Sequence, residues 1–233
     1  PYTTLFRSEY IPEGKIVVSE SGIRDNQTVR RIGGHANAFL VGSQLTSQPD
    51  IDLAARRLVY GDNKVCGLTS WTAAQAARAA GAVYGGLIFE EASPRNVSRE
   101  TAQNIIAHEP DLLYVAVSRR TSNFEELALD GIHAIQLHAP YQGSVETERA
   151  LIEEASKHSN HVWRAIDMTA PHAPELVAAL ADVADLLVLD TGSGGTGETF
   201  DWSTVPAGIP ALLAGGLNLT NLEQALAVGT IGL

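Results

Sequence analysis

The sequence predicts an α/β chain whose βα units close as a (β/α)8 barrel, preceded by the last two βα units of a second barrel of the same type. Three observations carry this. Seven short apolar runs recur at roughly 21 to 28 residue spacing with helical patterns between them, the alternation that builds a parallel sheet. No antiparallel interruption breaks that alternation. The polar residues Cys66, His138 and Asp190 fall within or at the ends of different runs, with Arg95 just beyond another, which is how a barrel assembles a site at its carboxyl-end face. An open doubly wound sheet shares the alternation; the placing of these residues favours the barrel.

Taken in order, the upstream part predicts a strand over 16–19, a helix from Asp25, a strand over 39–41 and a helix over 50–60. Gly61-Asp62-Asn63 then marks a boundary, too short for a flexible linker. Beyond it, buried strands are expected over 64–68, 85–89, 113–117, 134–138, 162–166, 186–190 and 211–215, each a short apolar run. Helical patterns cover 73–80, 100–107, 145–157 and 174–181, and the capping boxes Ser122-x-x-Glu125 and Thr220-x-x-Glu223 predict two more. The last residues, from Thr230, read as the point where an eighth strand starts, so the eighth unit is expected to be missing and two strand edges open. Two arrangements then compete: the strand over 39–41 with its helix fills the vacancy as a circularly permuted substitute, or it stays in a separate domain.

Composition narrows the function classes. With 16 Lys and Arg against 27 Asp and Glu, the formal charge is −11, and no basic cluster is longer than a pair, which disfavours non-specific nucleic-acid binding. No run approaches the ~18 to 20 apolar residues of a membrane span, and the amino end lacks a signal-peptide core, so a cytoplasmic setting without a membrane partner is expected. A single cysteine, Cys66, excludes an intrachain disulfide and a multi-cysteine metal site; no Asp, Glu or His set shows ligand spacing, so no metal is inferred. A small anionic substrate stays open if a local site supplies the positive field.

Each candidate residue has a plainer reading. A lone cysteine in a strand is most often a small buried hydrophobe. Asp190 could cap a turn, although a carboxyl at a barrel's active face is more often chemical. The glycine-rich loop over 192–197 could be merely flexible, yet after a strand it can offer backbone N–H groups to a phosphate, and Gly215-Gly216 gives a second such approach. Arg95 reads as an ordinary solvated charge, His138 as a satisfied strand-end residue, and His133, His158, His161 and His172 as surface residues.

From Asn63 onward the chain resembles phosphoribosylanthranilate isomerase. The motifs are Asn63-Lys64-Val65-Cys66-Gly67-Leu68-Thr69, Gly85-Gly86-Leu87-Ile88-Phe89, Ser93-Pro94-Arg95, Gln136-Leu137-His138, Leu189-Asp190, Gly194-Gly195-Thr196-Gly197 with Phe200-Asp201-Trp202, and Leu213-Ala214-Gly215-Gly216-Leu217. The resemblance implies an Amadori rearrangement without metal or organic cofactor. It makes Cys66 the general base and Asp190 the general acid, and assigns Arg95 to the substrate's anthranilate carboxylate. Gln136 and His138 become substrate contacts; Gly194, Gly195, Thr196, Gly197, Gly215 and Gly216 become the phosphate site. The segment with Ser19-Glu20-Ser21-Gly22-Ile23 and Phe39-Leu40-Val41-Gly42-Ser43 is similar to the last quarter of indole-3-glycerol-phosphate synthase, which implies substrate and phosphate positions at Glu20, Ser21, Gly42 and Ser43. That enzyme's catalytic lysines and glutamates belong to earlier strands, so no synthase activity is assigned.

The expected division is a segment over 1–8 that reads like a translated sequencing adaptor, a synthase remnant over 9–61, and an isomerase domain over 62–233 that lacks the family's Asp-x-x-Ser-Gly-Val-Glu stretch. Together these imply a fragment, cut at both ends, of a bifunctional tryptophan-biosynthesis fusion with a small phosphorylated substrate and a monomeric parent. The alternatives are an inactive phosphate-binding fragment and another sugar-phosphate isomerase barrel.

Overall fold

The computed structural model describes residues 11–192 and 197–233. The chain divides into two units, the first ending at Gly61 and the second running from Asp62 to Leu233.

In the first unit, β1 (Val18–Glu20) and β2 (Ala38–Leu40) pair in parallel, with Val18 opposite Ala38 and Glu20 opposite Leu40. Between them runs α1 (Asn26–Gly33), started by Asp25, whose carboxylate accepts from the Thr28 N–H at 2.7 Å and satisfies one of the orphan donors of the first turn. After β2 come α2 (Ser43–Thr46), a single turn that no sequence signal marked, and α3 (Ile51–Tyr60), capped by Asp50 through the Leu53 N–H. Asn26 Nδ2 donates to the carbonyls of Leu58 and Val59, which ties α1 to the end of α3.

The second unit is a parallel sheet in strand order: β3 (Lys64–Cys66), β4 (Tyr84–Ile88), β5 (Leu113–Ser118), β6 (Ile132–Leu137), β7 (Val162–Asp167), β8 (Leu186–Asp190) and β9 (Ala211–Leu213). Strands buried on both faces read as unbroken apolar runs, and β4 and β8 are buried at every residue. The outer face carries α4 (Trp71–Ala79), α5 (Arg99–His108), α6 (Val145–Ser156), α7 (Ala173–Leu180) and α8 (Leu222–Ala227). One apolar cluster lies around Leu87, Ala102, Ile105 and Tyr114, the other around Leu137, Ile152, Leu180, Leu187 and Leu189.

Helix starts follow local chemistry. The hydroxyls of Ser70, Ser98 and Ser144 each accept a backbone N–H three residues on, and Ser144 with Thr147 forms the reciprocal box that opens α6. The expected box at Ser122 does not start a helix: Asn123 takes a left-handed conformation (φ 57°) and only a 3₁₀ turn follows, Phe124–Leu127. Nor does Thr220 cap α8. Its hydroxyl bonds to Asn218 Oδ1, and the helix begins after Asn221.

Closure decides between the two arrangements of the upstream strand. The Asp62 and Lys64 N–H groups donate to the carbonyls of Ile231 (2.9 Å) and Leu233 (2.8 Å), while the Ile231 and Leu213 N–H groups bond Ala211 O (3.1 Å) and Gly232 O (3.1 Å). Residues 231–233 therefore lie between β9 and β3, hydrogen-bonded on both sides, as the first residues of an eighth strand. The substitution by the strand over 39–41 is thereby refuted: β2 pairs with β1 in a separate two-stranded sheet. The chain's own residues 231–233 take those backbone donors and acceptors, so the position is already filled.

Candidate active site

Residues opposite one another in a parallel ladder project from the same face. Cys66 lies opposite Gly86, Val117 opposite Gln136, Gln136 opposite Trp163, and Asp167 opposite Asp190. Arg164 and Leu187, one residue out of phase, join the helix-covered side. Cys66, Gln136, Asp167 and Asp190 are thus on the barrel's inner face, and all but Gln136 stand at a strand's carboxyl end.

Cys66 is exposed, so the buried-hydrophobe reading does not describe it. A Cβ at position 86 would lie 2.8 Å from Cys66 Sγ and 3.0 Å from Lys64 Nζ, which means that thiol and ammonium share the room left by Gly86. Arg95 comes across from the loop after β4. Its Nη1 donates to the Cys66 carbonyl at 3.3 Å, passing so close over Gly67 that any Cβ there would meet Arg95 Cδ at 2.6 Å. Arg95 and Cys66 are therefore neighbours.

Asp190 is 8% exposed, and its Oδ1 accepts from the Thr191 N–H at 2.7 Å. His138 Nε2 stands 3.8 Å from Asp190 Oδ2 and 3.4 Å from the Gly192 carbonyl. Burial pushes the proton affinity of His138 below the ordinary imidazole value; Asp190 and the Gly192 carbonyl pull it back up, and Lys64 and Arg164 add to the lowering. Gly215 packs against this carboxylate, because a Cβ at that position would sit 2.7 Å from Asp190 Oδ1.

His138 and Asp190 open on a cavity of about 270 Å³ also lined by Arg119, Tyr141, Arg164, Asp167 and His172. All five were absent from the expected site. Asp167 ends β7 as Asp190 ends β8, but the expected strand stopped one residue short of it. His172, read as a surface residue, instead stacks on Tyr141 with ring centroids 4.0 Å apart, and His133 lies 4.4 Å from His161 by the same measure. Cys66, Arg95 and Gln136 do not line the cavity. Gln136 is buried one step below His138, with its Oε1 unbonded among the described residues.

Of the expected phosphate loop, Gly194, Gly195 and Thr196 lie outside the described residues, as does the segment over 1–8. Gly197 is exposed, and Gly216 abuts the Glu198 carbonyl. In the first unit, Glu20 ends β1 and Ser21 follows it, while Gly42 and Ser43 come after β2, so the parallel pairing brings both pairs to one sheet end. Among the described residues no helix is long and apolar enough to cross a membrane, and no three His, Cys, Asp or Glu cluster as metal ligands.

The family model described as N-(5'phosphoribosyl)anthranilate (PRA) isomerase matches residues 63–233, and that of indole-3-glycerol phosphate synthase matches residues 3–58. The chain is 63% identical over 231 residues to the tryptophan biosynthesis protein TrpCF of Corynebacterium glutamicum, covering 97% of this chain and 49% of that protein. It is 40% identical over 229 residues to TrpCF of Vibrio cholerae, covering 96% of this chain and 47% of the relative. The chain thus spans about half the length of the curated relatives it matches. Among solved structures, phosphoribosyl anthranilate isomerase from Thermus thermophilus superposes with a TM-score of 0.60 at 28% identity, over 73% of this chain and 84% of that one. The Thermotoga maritima enzyme gives 0.57 at 26%, over 74% and 85%. With the family model matched over residues 63–233, the chain belongs to the N-(5'-phosphoribosyl)anthranilate isomerase family.

Proposed function

We propose that the second unit isomerises N-(5-phosphoribosyl)anthranilate to 1-(2-carboxyphenylamino)-1-deoxyribulose 5-phosphate in tryptophan biosynthesis, in a cytoplasmic protein that also carries indole-3-glycerol-phosphate synthase. The observation that carries this reading is the placement of His138 Nε2 3.8 Å from Asp190, on the barrel face where Cys66 and Arg95 also meet. Asp190 donates a proton to the furanose ring oxygen, the bond from C1 to that oxygen breaks, and the ring opens to a Schiff base. Cys66 then takes the C2 proton, leaving an enolamine that tautomerises to the ketone.

Arg95 receives the anthranilate carboxylate with its planar fork of donors, beside the base it serves. The phosphate sits against the glycine-rich turns after β8 and β9, with Gly194, Gly195, Thr196 and Gly197 on one side and Gly215 and Gly216 on the other. Every step moves a proton, so positioning and acid/base transfer supply the rate. Consumption of phosphoribosylanthranilate by the full-length protein tests the reading. Turnover that falls ~10²-fold or more in Asp190→Asn supports it; a wild-type protein inert toward this substrate defeats it.

A further inference from the structure

Arg164 lies in β7 but faces away from the barrel interior, 3% exposed, against Glu148 of α6, which is wholly buried. The pair is bidentate: Arg164 Nε donates to Glu148 Oε2 at 2.7 Å and Nη2 to Oε1 at 3.0 Å. Arg164 Nη1 also reaches the carbonyls of Leu137 (3.1 Å), Ala139 (2.9 Å) and Ala165 (2.8 Å), and Nη2 that of Pro140 (3.4 Å). Glu148 Oε1 accepts in addition from the Gln142 N–H at 2.9 Å.

A buried ion pair is weak evidence for stability, since apolar side chains of the same volume often serve as well. What distinguishes this one is where its bonds go. They converge on the segment from Leu137 to Gln142, and Leu137 and Ala139 are the residues on either side of His138. We propose that Arg164, with Glu148 as its counter-charge, is a positioning residue that clamps the backbone on both sides of His138 and so holds Nε2 between the Gly192 carbonyl and Asp190. The clamp also places the Arg164 charge beside the imidazole, where it disfavours protonation. Arg164 touches no reacting atom; it acts through His138 on the carboxyl that serves as the acid, and to that extent rests on the functional reading above.

The test is the double variant Arg164→Met/Glu148→Leu in the full-length protein, which removes both buried charges and leaves apolar volume. Arg164→Met alone strands Glu148 and can fail by unfolding. Turnover of phosphoribosylanthranilate is to be read with the ¹H–¹⁵N resonances of the His138 ring across pH. The expected result is a folded protein with kcat reduced ~10-fold to ~100-fold, KM within about threefold, and a His138 titration moved upward. Arg164→Lys keeps a charge for Glu148 but loses the fork over Leu137 and Ala139, and should lower kcat in smaller measure and shift the His138 ring resonances; it decides the matter if the double variant does not fold. Unchanged kcat, or a reduced kcat with the His138 resonances where they are in wild type, overturns the proposal. A wild-type protein inert toward the substrate defeats the functional reading instead, and the His138 resonances still decide this one.

Discussion

His138 Nε2 and Asp190 Oδ2 are 3.8 Å apart, longer than a hydrogen bond. The contact becomes an ion pair only when His138 gains a proton, and burial opposes that.

The His138 imidazole should therefore titrate below the ordinary value of about 6.5. The unfolded chain then binds more protons than the folded one between the two values, so stability falls as pH drops from near 6.5 toward the folded value and is unaffected by this group above it. Two-dimensional NMR of the ring across pH checks the direction. A titration at or above 6.5 would mean that Asp190 outweighs burial.

Gly215→Ala should displace the proposed acid, Asp190, without dissolving the barrel. The new Cβ would sit 2.7 Å from Asp190 Oδ1, at a backbone φ of +80° that an L side chain adopts at a cost of about 1–2 kcal/mol. Urea unfolding should show a loss of that order, and kcat should drop by ~10-fold or more as the carboxyl moves. Wild-type kcat with the stability loss would detach Gly215 from Asp190.

Arg95→Ala should act mainly on KM for the anthranilate-bearing substrate, raising it ~10-fold or more by removing a charge-assisted contact. Its side chain is exposed and its own bond is to the Cys66 carbonyl at 3.3 Å, so folding should survive. Steady-state kinetics separate this outcome from a bystander role, which leaves KM unchanged.

Gly232→Ala tests closure. A Cβ there would lie 2.2 Å from the Asp62 carbonyl oxygen, in the strip that joins β9 to β3. Overpacking of this kind costs roughly 1–3 kcal/mol. Amide exchange should accelerate at Lys64 and Leu213, whose N–H groups bond Leu233 and Gly232. Unaltered protection at both would show that residues 231–233 do not hold the ring.

The central strands were legible because they are buried on both faces: the run at Leu186–Asp190 was placed to the residue, and the others within a few residues. Short-range capping signals served less well. Ser122 has the right spacing to Glu125, yet the left-handed Asn123 diverts the chain before a helix can start. The catalytic candidates were legible as polar residues ending apolar runs. Arg164 and Glu148 were not, since a charge inside a strand and another inside a helix, sixteen residues apart, declare their pairing only when β7 packs against α6. The upstream strand over 39–41 resembled an eighth strand in pattern; the hydrogen bonds of residues 231–233 decide the contest, and no periodicity records those.

The most direct test of the account is kcat for phosphoribosylanthranilate in the full-length protein carrying Cys66→Ser, beside wild type. The substitution keeps side-chain size and removes the thiol proposed to take the C2 proton, so kcat should fall by ~10²-fold or more while circular dichroism and unfolding midpoint stay unchanged. A kcat within about twofold of wild type would contradict the assignment of Cys66 as the base, and with it the paired acid and base on which the account stands.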